Sequence, residues 1–139
     1  MTALHLAPVT LLDTSVLIDS FTPPRQSHAA LRRLLELGER IAIPSIVLYE
    51  WLRGPRLPEE LAAQQALFPS EAALPFGPHE AALAAQLYRS VPRPRGREMD
   101  LAIAATAILH DAPLWTLNPR DFRDIPRLRL SQLPSVAAR

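Results

Sequence analysis

Short apolar runs alternate along this chain with longer stretches of helical periodicity. Val9-Thr10-Leu11-Leu12 is apolar, partly β-branched and stops at Asp13, which predicts a buried strand. Thr14 or Ser15 then caps a short helix reaching about Ser20, ended by Thr22-Pro23-Pro24. Over 27–37, Leu31, Leu34 and Leu35 share one face while Arg32, Arg33 and Glu36 share another. That spacing predicts an amphipathic helix with Gly38 as its stop. A second strand is expected over 40–43. Pro44 pre-sets the backbone for a helix over 46–52, apolar nearly all round except at Glu50. Residues 58–68 predict a further helix, with Glu59 and Glu60 well placed in its first turn.

A third strand is a candidate over 72–76. Over 78–91, Ala81, Leu83, Ala84, Leu87 and Tyr88 recur at core spacing on a helix. Pro92-Arg93-Pro94-Arg95-Gly96-Arg97 reads as an exposed loop, and 98–110 as an Ala-rich helix. A strand over 114–117, an Asn-Pro turn, a last edge strand over 128–130 and a frayed tail complete the chain. Strands that alternate with helices imply an α/β fold with three α/β/α layers. Its centre would be a parallel sheet of four to five short strands, and ligands would bind at the carboxyl ends of the strands. Neither repeats nor a linker interrupt the pattern, so one domain over 1–139 is expected, its core at about 9–130.

Composition narrows the chemistry. The 139 residues suffice to bury a core without staples. Cysteine is absent, so disulfides and thiolate zinc sites are excluded. Every basic residue apart from histidine is Arg, which leaves no lysine for a Schiff base, a P-loop phosphate contact or a general base. A net charge of +1 argues against nucleic-acid binding by bulk charge alone. No Lys or Arg precedes the first apolar stretch, so no secretory signal is read. No apolar run approaches the ~18 residues of a membrane span. A soluble, cytoplasmic protein without a membrane partner is the expectation.

Three carboxylates stand out against apolar surroundings. Asp13 closes the first strand, Glu50 interrupts Ile46-Val47-Leu48-Tyr49 and Trp51-Leu52, and Asp100 precedes the most hydrophobic stretch of the chain. Each has a separate structural reading: Asp13 as a helix N-cap, Glu50 as a snorkelling surface residue, Asp100 as a complement to a helix dipole. One functional reading covers all three. Carboxylates ~4–5 Å apart repel by roughly 3–4 kcal/mol at an effective dielectric of ~20, so several together call for a cation. Oxygen donors without a His or Cys cluster favour Mg²⁺ or Mn²⁺. Ile103, Ala104 and Ala107 lie above Asp100, and the two alanines would leave room for a hydrated ion. Such a site suits phosphoryl chemistry, with a neighbouring carboxylate acting on water.

The segments resemble the PIN-domain family. Leu11-Leu12-Asp13-Thr14-Ser15-Val16-Leu17-Ile18-Asp19 looks like its opening strand and helix, and Pro44-Ser45-Ile46-Val47-Leu48-Tyr49-Glu50 with Arg53-Gly54 like its second motif. Asp100-Leu101-Ala102-Ile103-Ala104-Ala105-Thr106-Ala107 resembles the third, and Leu114-Trp115-Thr116-Leu117-Asn118-Pro119-Arg120-Asp121-Phe122 the fourth. The resemblance implies a metal-dependent ribonuclease of the VapC toxin type, paired with a VapB-like antitoxin and commonly homodimeric. By the same resemblance Asp13 and Asp100 match direct metal ligands, Glu50 the third acidic position, and Thr14 and Thr116 supporting hydroxyls. Asn118 stands where some PIN domains have Asp. Either Asn118 supports the site and Asp121 completes it, or three carboxylates suffice and Asp121 caps the turn.

Arg93, Arg95 and Arg97 are open to three readings: grip on RNA phosphates, grip on an acidic antitoxin segment, or a solvated loop. His5, His28, His79 and His110 lack ligand spacing, and Trp51 and Trp115 read as core. Leu57, Leu61, Leu67 and Phe68 are either core or a dimer-facing strip. A receiver domain would need a late lysine, and a haloacid-dehalogenase-like phosphatase an Asp two residues after Asp13; the chain has neither. The alternative function is a catalytically weak PIN-like module that binds RNA or protein.

Overall fold

The computed structural model describes residues 8–131. The expectations for residues 1–7 and for the C-terminal tail over 132–139 lie outside that range. Strand β1 (Val9–Leu12) leads into α1 (Thr14–Phe21) and α2 (His28–Glu36), then β2 (Arg40–Ala42), α3 (Ser45–Arg53) and α4 (Pro58–Leu67). Helices α5 (Pro78–Ser90) and α6 (Glu98–Leu109) precede β3 (Leu114–Trp115). The sheet has the order β2-β1-β3, with β1 parallel to both neighbours. Leu11 pairs with Ala42 on one side and Leu114 on the other, so both β1 neighbours end near Asp13.

Among the described residues the sheet has three strands, not the four to five expected. The 72–76 segment makes one isolated bridge, Leu74 to Pro44, because a 3-10 turn over Ser70–Ala72 precedes it and Pro75 removes the next backbone donor. The 128–130 segment likewise makes one bridge, Leu130 to Leu114, after a turn in which Arg127 has φ +72°. Strand β3 is shorter than predicted for a different reason. The N–H groups of Leu117 and Asn118 bond to the hydroxyls of Ser15 and Thr116, and side chains take the place of ladder partners.

The helices match the periodicity closely, since proline and a capping glutamate mark two starts. Pro58 and Pro78 occupy first turns, and Glu60 and Glu80 accept from the N–H of Leu57 and Gly77. Gly38 ends α2 with φ +86°, a conformation that costs glycine little. Ala81 and Tyr88 depart from the expected core face of α5. They are exposed, and Leu83 and Leu87 carry its burial.

Helix α6 is buried on every side from Leu101 to Ala107, as its apolar circumference demands. Ile103, Ala104 and Ala107 are fully buried. Their size therefore serves close packing of α6 rather than opening space beside Asp100. Trp51 is fully buried against Phe21, and its Nε1–H donates to Gln64 Oε1 at 3.2 Å. Trp115 is buried too. Phe68 joins the core, whereas Leu57 and Leu61 are exposed. Among the described residues no helix is long and apolar enough to cross a membrane.

Candidate functional site

Asp13 sits where β1 ends and α1 begins. Its backbone holds the N-cap position, but its carboxylate makes no capping bond. Instead Oδ2 accepts hydrogen bonds from Thr116 Oγ1 at 2.7 Å and Ser15 Oγ at 2.8 Å. Both hydroxyls are fixed in turn, Thr116 by the Asn118 N–H at 2.9 Å and Ser15 by the Leu117 N–H at 3.0 Å. Two hydroxyls aimed at one oxygen hold the carboxylate and leave Oδ1 as the oxygen to meet a ligand. Asp13 is only 5% exposed, so this orientation is maintained by packing as well.

Glu50 does not snorkel. Its side chain is 15% exposed, and Oε1 accepts a hydrogen bond from Thr14 Oγ1 across 36 positions of sequence. Arg53 approaches Oε2 at 3.4 Å from the next turn of α3. Helices α1 and α3 pack together and bring these partners into register.

Asp100 occupies the first turn of α6, half-buried. Burial raises its carboxyl to about 6 from the ordinary 3.8, and the negative charges of Asp13, Asp121 and Glu50 push in the same direction. Arg97 opposes them only weakly. Three acids from three other segments thus act on Asp100. Among them Asp121 acts on Asp100 more strongly than Glu50 does. Asn118 contributes backbone: its N–H bonds to Thr116, and its carbonyl accepts from the Asp121 N–H at 3.0 Å.

The Arg-rich loop divides. Arg97 donates to Asp124 at 2.6 and 3.1 Å, to the Asp121 carbonyl at 3.1 Å and to the Pro92 carbonyl at 3.0 Å. This guanidinium ties the start of α6 to the turn that carries Asp121. Arg93 and Arg95 are exposed. Ser15 is the residue that sequence reasoning missed. A second hydroxyl directly after Asp13-Thr14 was the available signal, but its partners lie about a hundred positions away.

The donor set suits a hard cation. It consists of oxygens, with no cysteine in the chain and no histidine among these contacts. Among the described residues no group of three His, Asp or Glu side chains is placed to hold a metal ion. Mg²⁺ does not require one, because it commonly keeps several waters and takes one or two carboxylates.

The model of the PIN-domain family matches residues 10–128. The chain is a PIN domain. It is 35% identical over 122 residues to ribonuclease VapC19 of Mycobacterium tuberculosis, covering 86% of this chain and 96% of that relative. A toxin–antitoxin complex from Klebsiella pneumoniae contains a chain with 28% identity and a TM-score of 0.65, covering 86% of this chain and 94% of the other. DNA-bound VapBC from Salmonella typhimurium shares the fold at a TM-score of 0.69 and 22% identity, over 91% of this chain and 98% of that one. The PIN core and its VapC-type relatives thus agree with the resemblance drawn from the four motifs.

Proposed function

We propose that this PIN domain is a Mg²⁺- or Mn²⁺-dependent endoribonuclease toxin of the VapC type, acting as one domain in the cytoplasm. The observation that carries the reading is the Asp100 carboxyl, pushed up to about 6 by burial and by three other acids. A fold does not gather such charge for stability, and perturbed carboxylates of this kind mark functional sites.

Asp13 and Asp100 would hold the ion, and Glu50, fixed by Thr14, would complete its surroundings. When bound, the ion supplies Lewis-acid stabilisation of charge on the phosphoryl group and makes a water more acidic. Thr116 and Ser15 orient Asp13 through Oδ2. Asp121 is exposed beside Asp100 and would orient a water and accept its proton at a carboxylate oxygen. Asn118 shapes the turn that presents Asp121.

A VapB-like antitoxin and a homodimer belong to the same proposal. The relatives' assembly as toxin–antitoxin complexes supports the first. An apolar groove of about 460 Å³ among Ile46, Phe76, Tyr88 and Met99 supports the second.

The test uses purified chain, free of antitoxin, on cellular RNA. Mg²⁺-dependent cuts that disappear with a chelator, and fall by about 10²–10⁴-fold in Asp100→Asn with an unchanged circular dichroism spectrum, are expected. No cleavage of any RNA by the intact protein would sink the enzyme reading and favour a binding module.

A further inference from the structure

Beside the acidic centre lies a second, polar cavity of about 370 Å³, walled by Pro92, Arg93, Arg97, Arg120, Asp121 and Asp124. Its volume is within the roughly 300–1,000 Å³ range of small-ligand sites. It shares Asp121 with the carboxylate cluster, so whatever fills it also borders the proposed cleavage point.

The charges in its wall have different duties. Arg97 and Asp124 neutralise each other in a two-pronged pair, and Arg97 spends its remaining contacts on two backbone carbonyls. That pair is the scaffold of the cavity. Arg93 and Arg120 are exposed, and their guanidinium groups are the cations left to meet an incoming ligand. Arg93 holds φ +52°, so the loop turns sharply at this residue. A planar guanidinium matches a phosphate with two parallel hydrogen bonds, and this chain uses no other basic group there.

We propose that the cavity is a backbone-phosphate subsite for single-stranded RNA, in which Arg93 and Arg120 grip a phosphate next to the bond presented to Asp121. The inference rests on the nuclease reading for its choice of ligand. The shared Asp121 sets the two exposed guanidinium groups beside the carboxylate centre, where a strand presented to that centre carries a phosphate at every nucleotide. Phosphate contacts fix register without reading sequence, so the subsite positions the strand and leaves base choice to other surfaces.

Arg93→Asn combined with Arg120→Ala tests the subsite. Asn tolerates the positive φ at position 93. Binding of a fluorescent 20-nucleotide RNA of mixed sequence is measured from 50 to 300 mM salt, in an Asp100→Asn background that leaves the RNA whole. Each lost phosphate contact should lower the slope of log affinity against log salt by about 0.7, or about 1.4 for the pair. A control removes the same charge elsewhere, with Arg32→Ala and Arg33→Ala on α2. An unchanged slope in the cavity variant, or an equal fall in the control, overturns the proposal. So does a variant that loses affinity only for an acidic peptide. Cleavage by the unmutated chain is assayed in parallel. Its absence alongside the expected slope change would remove the nuclease reading and leave the phosphate subsite standing.

Discussion

Two of the polar clusters that penetrate this molecule are built on opposite terms. Around α4, Gln64 accepts from the Trp51 indole and donates to the Phe68 carbonyl, while Glu60 accepts from the Leu57 N–H. Both residues are nearly inaccessible, and both are satisfied. In the other cluster Asp13 and Glu50 also receive hydrogen bonds, yet their charges and that of Asp121 bear on Asp100 and raise its proton affinity. The first cluster is complete within the chain. In the second, the cation proposed above would balance the charge that bears on Asp100, and that contrast separates structural polarity from the proposed functional polarity.

The contrast can be broken from either side. The largest effect is expected at Trp51→Ala, which empties a fully buried position and should cost about 3–5 kcal/mol by denaturant titration. RNA cleavage per folded molecule should persist, and selective loss of cleavage would blur the division. Gln64→Leu should cost about 1–3 kcal/mol, since the Trp51 N–H and Phe68 carbonyl lose their partner. Thr116→Val should act the other way. Cleavage falls about 10–100-fold with little change in melting temperature, because the hydroxyl orients Asp13 from outside the ion's direct contacts.

The smallest effect concerns pH. The folded state holds the Asp100 proton more tightly than an ordinary carboxyl, about 6 against 3.8. Its contribution therefore favours folding at low pH and is lost as pH rises from about 4 to 6. Metal-free Asp100→Asn lacks this loss. Its melting-temperature advantage over the parent should grow across that window, level off above it, and reach on the order of a few degrees. An advantage independent of pH would show that the Asp100 charge is not the cause.

Local signals were legible in the sequence. Proline at helix starts, Gly38 at a stop and apolar spacing placed six helices within a few residues of their observed bounds. Asp13, Glu50 and Asp100 stood out because a charge amid apolar residues is a local anomaly. The strand count was not legible, since a short apolar run does not reveal whether a proline or a turn will confine it to one bridge. Ser15's role, and the scaffold role of the candidate Arg97, were illegible for a related reason. Their duties are set by Leu117 and Thr116 in one case and by Asp124 in the other, distant in sequence and adjacent only after folding.

The tie between Ser15 and Leu117 carries a consequence for synthesis. Translation delivers Asp13 early, but the hydroxyl that clamps it with Ser15, and the acid that faces Asp100, arrive after residue 115. Central strand β1 also gains its second neighbour only then. A growing polypeptide on the ribosome consequently cannot assemble the proposed centre until Thr116 and Asp121 have emerged.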